Sequence, residues 1–430
     1  MSGKFTEDHV EQACLDWVCE TVTIGDFLSH RKGFAFKSTQ YKTEGLKVAR
    51  VSNFTQRSID TDSCICIDER EVNQYSEYVL KVGDVVIATV GSWPTNPASV
   101  VGRAVRVPEE ADGLLLNQNA VRLRSNEHID QQFLYYLLSA EHYQNFIVST
   151  AQGSASQASI KLKDIFAYQA LIPPLSEQKA IASVLGALDD KIENNRRMNE
   201  TLEEMARAIF KSWFVDFDPV HAKAAGAVPA HMDADTAALF PSSFGDDGLP
   251  AGWGIKKLED VMELAYGKAL KASNRVEGQV PVYGSGGITG SHNEALVDGP
   301  SVIIGRKGTV GSLFWEDRPF FPIDTSFYLK PKIDLTFCYY LLQTLKLDNM
   351  NTDAAVPGLN RNNVYRLEFT MPSQNCLSEF QKVVGLMRRK IRSNSDETQT
   401  LAELRDTLLP KLMSGEIRVA DAESEVEAAV

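Results

Sequence analysis

The chain has 430 residues, 43% of them hydrophobic, which is enough to build proper cores in two to four units. It has no run of 18 apolar residues, and its start, MSGKFTEDHVEQA, lacks the basic-then-apolar layout of a signal peptide; a membrane span is excluded and a cytoplasmic protein is expected. The net charge of −13 argues against a protein coated in positive charge, though local basic patches can still serve nucleic acid.

The six cysteines (Cys14, Cys19, Cys64, Cys66, Cys338, Cys376) form no C-x-x-C and lie near no histidine cluster. Neither a disulfide framework nor a metal site is expected.

Residues 1–16 have helical spacing (Val10, Cys14, then Trp17) and read as an N-terminal extension helix without a counterpart in the second half. From Trp17 the pattern changes. Between Arg31 and Arg57 seven basic residues face only Glu44, with Phe34, Phe36, Tyr41 and Phe54 interleaved. That mixture suits phosphate contact beside base or sugar contact, and it also suits a solvated basic loop. LKVARVSNF, EYVLKVGDVVIATVG, SVVGRAVRV and LLLNQNAVRLR read as short strands, and QQFLYYLLSAEHYQNFIV as helix. Residues 17–172 therefore form a first α+β domain.

Residues 173–215 are a different object. After Pro173 and Pro174 comes a stretch rich in Ala, Leu, Glu, Lys and Arg, with Ile181, Leu185, Leu188, Ile192, Asn195, Asn199, Leu202, Ala206, Ile209 and Trp213 in a 4,3 rhythm. A helix of roughly 38 residues would be about 57 Å long, the size of a spacer. Residues 216–252, rich in Ala, Asp, Pro and Gly, read as a linker. Residues 253–371 repeat the first domain's order of parts, FCYYLL at Phe337 matching FLYYLL at Phe133. A second long helix follows at 372–415, and the acidic tail 416–430 is expected to fray.

The two helices are one repeat. Moving by 372 − 173 = 199 lays Pro372 on Pro173 and carries the seam across without a gap. Asn195 falls on Asn394, a buried-amide device for fixing register in a coiled coil; only Arg405 breaks the apolar trend. If the two seams are to meet, the second helix must return alongside the first. The expected fold is thus two tandem α+β domains separated by two long antiparallel coiled-coil helices, with an approximate twofold axis.

Enzyme motifs are missing. GSGGITG lacks the G-K-[ST] of a phosphate loop, no G-x-S-x-G occurs, and no Asn-Pro-Pro-aromatic or Asp-Pro-Pro-Tyr motif of an adenine methyltransferase is present.

The two helices, the stretch PPLSEQKAIASVLGALDDKIENN with SWFVDFDPV, and IIGRKGTVG with FPIDTSFYL together resemble the specificity subunit of type I restriction-modification systems, over nearly the whole chain. The resemblance implies a non-catalytic reader of double-stranded DNA. Each target-recognition domain would read half of a bipartite site, and the helices would dock two modification (methyltransferase) subunits. S-adenosylmethionine would sit on those partners; restriction subunits, where present, would add ATP- and magnesium-dependent cleavage. The helix before Trp17 departs from the family pattern. A divergent methyltransferase and a coiled-coil adaptor without DNA binding are the alternatives. Candidate DNA contacts are basic and amide residues in loops: Lys37, Lys42, Arg50, Asn53 and Arg103 in the first domain, and Lys268, Lys271, Arg275, Arg306 and Lys307 in the second. Arg306 is favoured for a bidentate contact to guanine, because GRKG lets the backbone approach closely.

Overall fold

In the computed structural model, residues 20–93, 99–154, 157–350 and 358–429 are described, so the expected helix at 1–16 and Trp17 lie outside the described residues. The chain divides into two units: one up to Glu193 that resumes at Glu397, and one from Asn194 to Asp396. The boundaries fall in the middle of the long helices, not at the prolines that open them. Each half-helix buries its seam in a globular core and belongs to that core.

The first unit carries a four-stranded antiparallel sheet in the order Leu28–Lys32, Ala120–Ser125, Val85–Ala88, Ala104–Arg106. Beside it lies a three-stranded sheet, Ile65–Ile67, Leu46–Ala49, Leu115–Leu116, whose first pairing is antiparallel and second parallel. Glu20–Thr23 pairs with Gln169–Ile172 where the chain enters and leaves. A further small sheet of Gln152–Ser154, Gln157–Ser159 and Val90–Gly91 belongs to the first unit, and the other three sheets return in the second unit. Its four-stranded order is Met262–Tyr266, Ser326–Pro331, Ser301–Gly305, Leu313–Glu316. Its three-stranded sheet is Gly287–His292, Val280–Gly284, Phe321–Pro322, again antiparallel then parallel, and Gly254–Lys257 pairs with Glu368–Met371. The interior strands VVIA and SVIIG are buried at every residue, which is why they read as unbroken apolar runs.

A glycine ends the equivalent first strand in each sheet. A Cβ on Gly33 would lie 1.9 Å from the Asn117 carbonyl oxygen, and one on Gly267 would lie 2.2 Å from that of Ile323. Backbone crosses backbone at both places, and only glycine leaves room. The matched FLYYLL and FCYYLL words are helices Gln131–Ser139 and Leu335–Thr344, N-capped by the side chains of Asp130 and Asp334.

The long helices run Leu175–Phe214 and Gln374–Ser414. In the first unit Ile181, Leu185 and Leu188 share a core with Leu401, Leu408 and Leu412. Each such fully buried side chain contributes about 1.5–3 kcal/mol. Lys191 pairs with Glu397 and Asp189 with Arg405, so the two segments run antiparallel. In the second unit Ala206, Phe210 and Trp213 meet Phe380 and Val384, and Glu203 pairs with Arg388. Asn195 and Asn394 are both buried, but Asn394 donates through Nδ2 to Asn199 Oδ1 at 2.9 Å. The register amide is therefore answered by the next seam asparagine. Arg405 is buried too: the residue that broke the apolar pattern is neutralised by Asp189 and Asp406.

Two expectations need correcting. Residues 216–252 are not a bare linker: helices Asp218–Ala224 and Ala234–Ala238 interrupt them, and Val220 and Phe240 are buried in the second unit's core. A few anchors suffice to dock a segment whose average composition is that of a tether. The acidic tail does not fray but forms helix Val419–Ala429, with Ala422 buried and Val419 and Val426 packed on the first unit's core. Those three lie at i, i+3 and i+7, one face of a helix.

Candidate nucleic-acid interface

The basic stretch of the first unit is split by its own core. Phe36 is buried and stacks edge-on with Phe34 and Tyr75; Phe54 is buried in a second cluster. The aromatics interleaved with the basic residues are thus spent on packing. Lys37 and Lys42 remain exposed, Lys37 at the start of the turn Ser38–Gln40 and Lys42 beside a backbone bridge to Cys66. Asn53 is buried, accepts from the Arg50 N–H at 2.9 Å and donates to Ser63 Oγ at 2.9 Å. It shapes its loop and offers nothing to a base. Arg50, half-buried, starts that same turn.

Arg103 is also structural. Its guanidinium donates to the carbonyls of Thr55 (3.0 Å) and Ser99 (2.9 Å), and burial lowers its pKa from the ordinary value. It borders a cavity of about 370 Å³ shared with Arg57, Gln144 and Arg405.

In the second unit Lys268 and Lys271 are exposed, whereas Arg275 ties a hairpin together by donating to the Thr289 carbonyl at 2.6 Å. Arg306 and Lys307 follow the buried strand Ser301–Gly305, and both of their N–H groups donate to the Thr325 carbonyl, at 2.9 and 3.1 Å. The Arg306 carbonyl then accepts from the Leu359 N–H at 2.8 Å, and Lys307 bridges to Gly358. This short zipper delivers Arg361, at the start of helix Arg361–Tyr365, beside Arg306.

Tyr266, 49% exposed, completes the arrangement: the guanidinium carbons of Arg306 and Arg361 each lie 4.9 Å from its ring centroid. Together with Lys307, Asn360 and Asn362 they line a concavity of about 310 Å³, with no carboxylate among its described lining residues. Two guanidiniums meet one aromatic ring there, and Lys307 lines the same concavity.

Arg361 and Tyr266 were not among the expected contacts. Tyr266 is 95 residues from Arg361 in sequence, and neither lies in a basic run; the zipper from Arg306 to Leu359, with the Leu264 N–H donating to the Tyr365 hydroxyl at 2.9 Å, brings them together. Among the described residues no group of three or more His, Cys, Asp or Glu could hold a metal ion, and no helix is long and apolar enough to cross a membrane. Cys64, Cys66, Cys338 and Cys376 are free thiols.

A family model described as "Type I restriction modification DNA specificity domain" matches residues 16–204 and 250–384. The type I restriction enzyme HindI specificity subunit of Haemophilus influenzae is 27% identical over 427 residues, covering 82% of this chain and 91% of that protein. The MjaIX specificity subunit of Methanocaldococcus jannaschii is 25% identical, covering 72% of this chain and 74% of that protein. The crystal structure of a type I restriction-modification system S subunit from M. genitalium shares the fold, with a TM-score of 0.53 at 20% identity over 95% of this chain and 98% of that one.

Proposed function

We propose, from the premise that this chain belongs to the type I restriction modification DNA specificity family, that its two units each read one half of a bipartite duplex site. The chain is the non-catalytic DNA-recognition component of its system. The observation that carries the two-reader proposal is the repeat: two sheets of identical strand order and direction, each ending in its own loop set. Phosphate contacts supply affinity and position, while base edges supply sequence. Two similar cores with different loops are what a site of two unrelated halves requires. Loop residues equivalent in the two units differ in kind, as Lys32 and Tyr266 do at the end of the same strand.

The halves of the long helices present an approximately repeated surface, and we assign to it the docking of two modification subunits in the cytoplasm. S-adenosylmethionine would reside on those subunits, and ATP and magnesium on restriction subunits where these join. The test is an exchange of residues 253–371 for those of a relative, followed by mapping of methylated bases in cells expressing the hybrid with its modification subunit. One half of the methylated site should change and the other stay. A simultaneous change of both halves would overturn the two-reader assignment.

A further inference from the structure

We propose that Arg306, Lys307 and Arg361 clamp one phosphate of the DNA backbone, and that the second unit alone carries this clamp; the proposal rests on the DNA-reading role given above. A bidentate contact to guanine needs a guanidinium edge with two free parallel N–H groups. On Arg361 the Nε–Nη2 edge is closed to a base. Its Nη1 donates to the Leu264 carbonyl at 3.4 Å, and its Nε is buried without a partner. Arg306 commits Nη1 to the Asp324 carbonyl at 2.8 Å, which holds its guanidinium in place and leaves Nε and Nη2 to donate.

The cluster as a whole presents positive charge with donors approaching from several directions. A phosphate accepts from several directions at once, whereas a base edge demands a matched pair. Neither arginine nor Lys307 is ion-paired among the described residues, so their charge faces solvent uncompensated. The Tyr266 ring adds a negative face that holds two like-charged guanidiniums close together, which water alone would disfavour.

Among its described residues the first unit has no such arrangement. The position of Tyr266 at the strand end is held there by Lys32, and that of Arg361, first in its five-residue helix, by Leu162. The loop sequence alone favours Arg306 for guanine; the clamp assigns its charge, with those of Lys307 and Arg361, to a phosphate instead.

The experiment uses the full chain assembled with its modification subunits. Binding is titrated between 50 and 300 mM salt on a duplex carrying the site deduced from genomic methylation, and on a scrambled duplex of equal length. Arg361→Ala should weaken binding about tenfold at low salt on both duplexes, and should reduce the slope of log affinity against log salt by about 0.9. Arg361→Lys should keep the slope, showing that the charge and not the shape of the side chain sets it. A loss confined to the specific duplex, with relaxed choice at one base, would make Arg361 a base reader and overturn the clamp. An unchanged salt slope in Arg361→Ala would overturn it too. If the wild-type complex failed to distinguish the two duplexes while the slope still fell, the clamp would stand and the sequence-reading role would fall.

Discussion

Arg405 Nη1 donates to Asp189 Oδ1 at 2.8 Å, with the arginine side chain only 8% exposed and the aspartate 20%. Tyr136 donates its hydroxyl to the other oxygen of the same carboxylate at 2.7 Å. In the second unit Arg388, Glu203 and Tyr340 build the same triad, at 3.0 Å for each contact. The position that carries the acid in the first unit, 189, is equivalent through the 199-residue offset to the one that carries the base, 388, in the second. Each unit thus closes its helix seam with one buried ion pair of opposite polarity.

Arg405→Met should cost about 2–4 kcal/mol, because it strands the Asp189 carboxylate beside an apolar core. Adding Asp189→Leu should recover more than half of that loss, since the pair's desolvation largely offsets its attraction. Denaturant unfolding of the two variants measures the difference. A single variant as stable as the parent would show that the pair does not matter to the seam.

The tyrosines can be tested in parallel. Tyr136→Phe and Tyr340→Phe each delete one hydrogen bond to a carboxylate that keeps its arginine, so each should cost about 1–2 kcal/mol. Similar costs in thermal melts are expected from the repeat. A large cost for one and none for the other would mean that only one triad is formed in solution.

Gly33→Ala and Gly267→Ala should each destabilise by about 2–3 kcal/mol, because the new methyl group would overlap a backbone carbonyl that cannot swing away. Gly254→Ala, with nothing within 4 Å of its Cβ position, should be neutral or slightly stabilising. Melting temperatures of the three variants decide the matter.

Burial pushes the Cys64 thiol up to about 11 and the Cys338 thiol up to about 12. At pH 8 only about a thousandth of Cys64 is therefore thiolate, the form that reacts with alkylating agents. Iodoacetamide labelling followed by peptide mass spectrometry should find native Cys64 slow at pH 8. Its rate should climb about tenfold per pH unit toward pH 11, while the unfolded chain labels readily throughout. Cys64 labelling at the rate of a free thiol at pH 8 would contradict its burial.

Much of the fold can be read from periodicity. The long helices lie within two residues of the limits set by Pro173 and Pro372, because a heptad seam forty residues long leaves little ambiguity. FLYYLL and FCYYLL found their helices for the same reason. Sparse anchors defeated the reading elsewhere: Val220 and Phe240 sit among alanines and aspartates whose average suggests a tether. The site was least legible. Charge identifies Lys37, Lys42 and Arg306 but cannot tell an exposed donor from a strut such as Arg103, whose acceptors are backbone carbonyls. Asn53 looked like a reader and is a turn-former, since an amide's role depends on partners three and ten residues away. Arg361 became visible only through a strand-end contact.

The division of the chain at Glu193 and Asp396 also dictates an order of events at the ribosome. The second unit is contiguous and can close as soon as Asp396 has emerged. The first unit, although synthesised first, has to wait for Leu401, Leu408, Leu412 and Ala422 to fill its core. Until then Ile181, Leu185 and Leu188 have no helix to lie against, and translation takes some seconds more to supply residues 397–422. A chain interrupted just after Asp396 would carry one finished unit and one with an open apolar seam, exposed to chaperones and proteases. Residues made after the second unit are the ones that close the first.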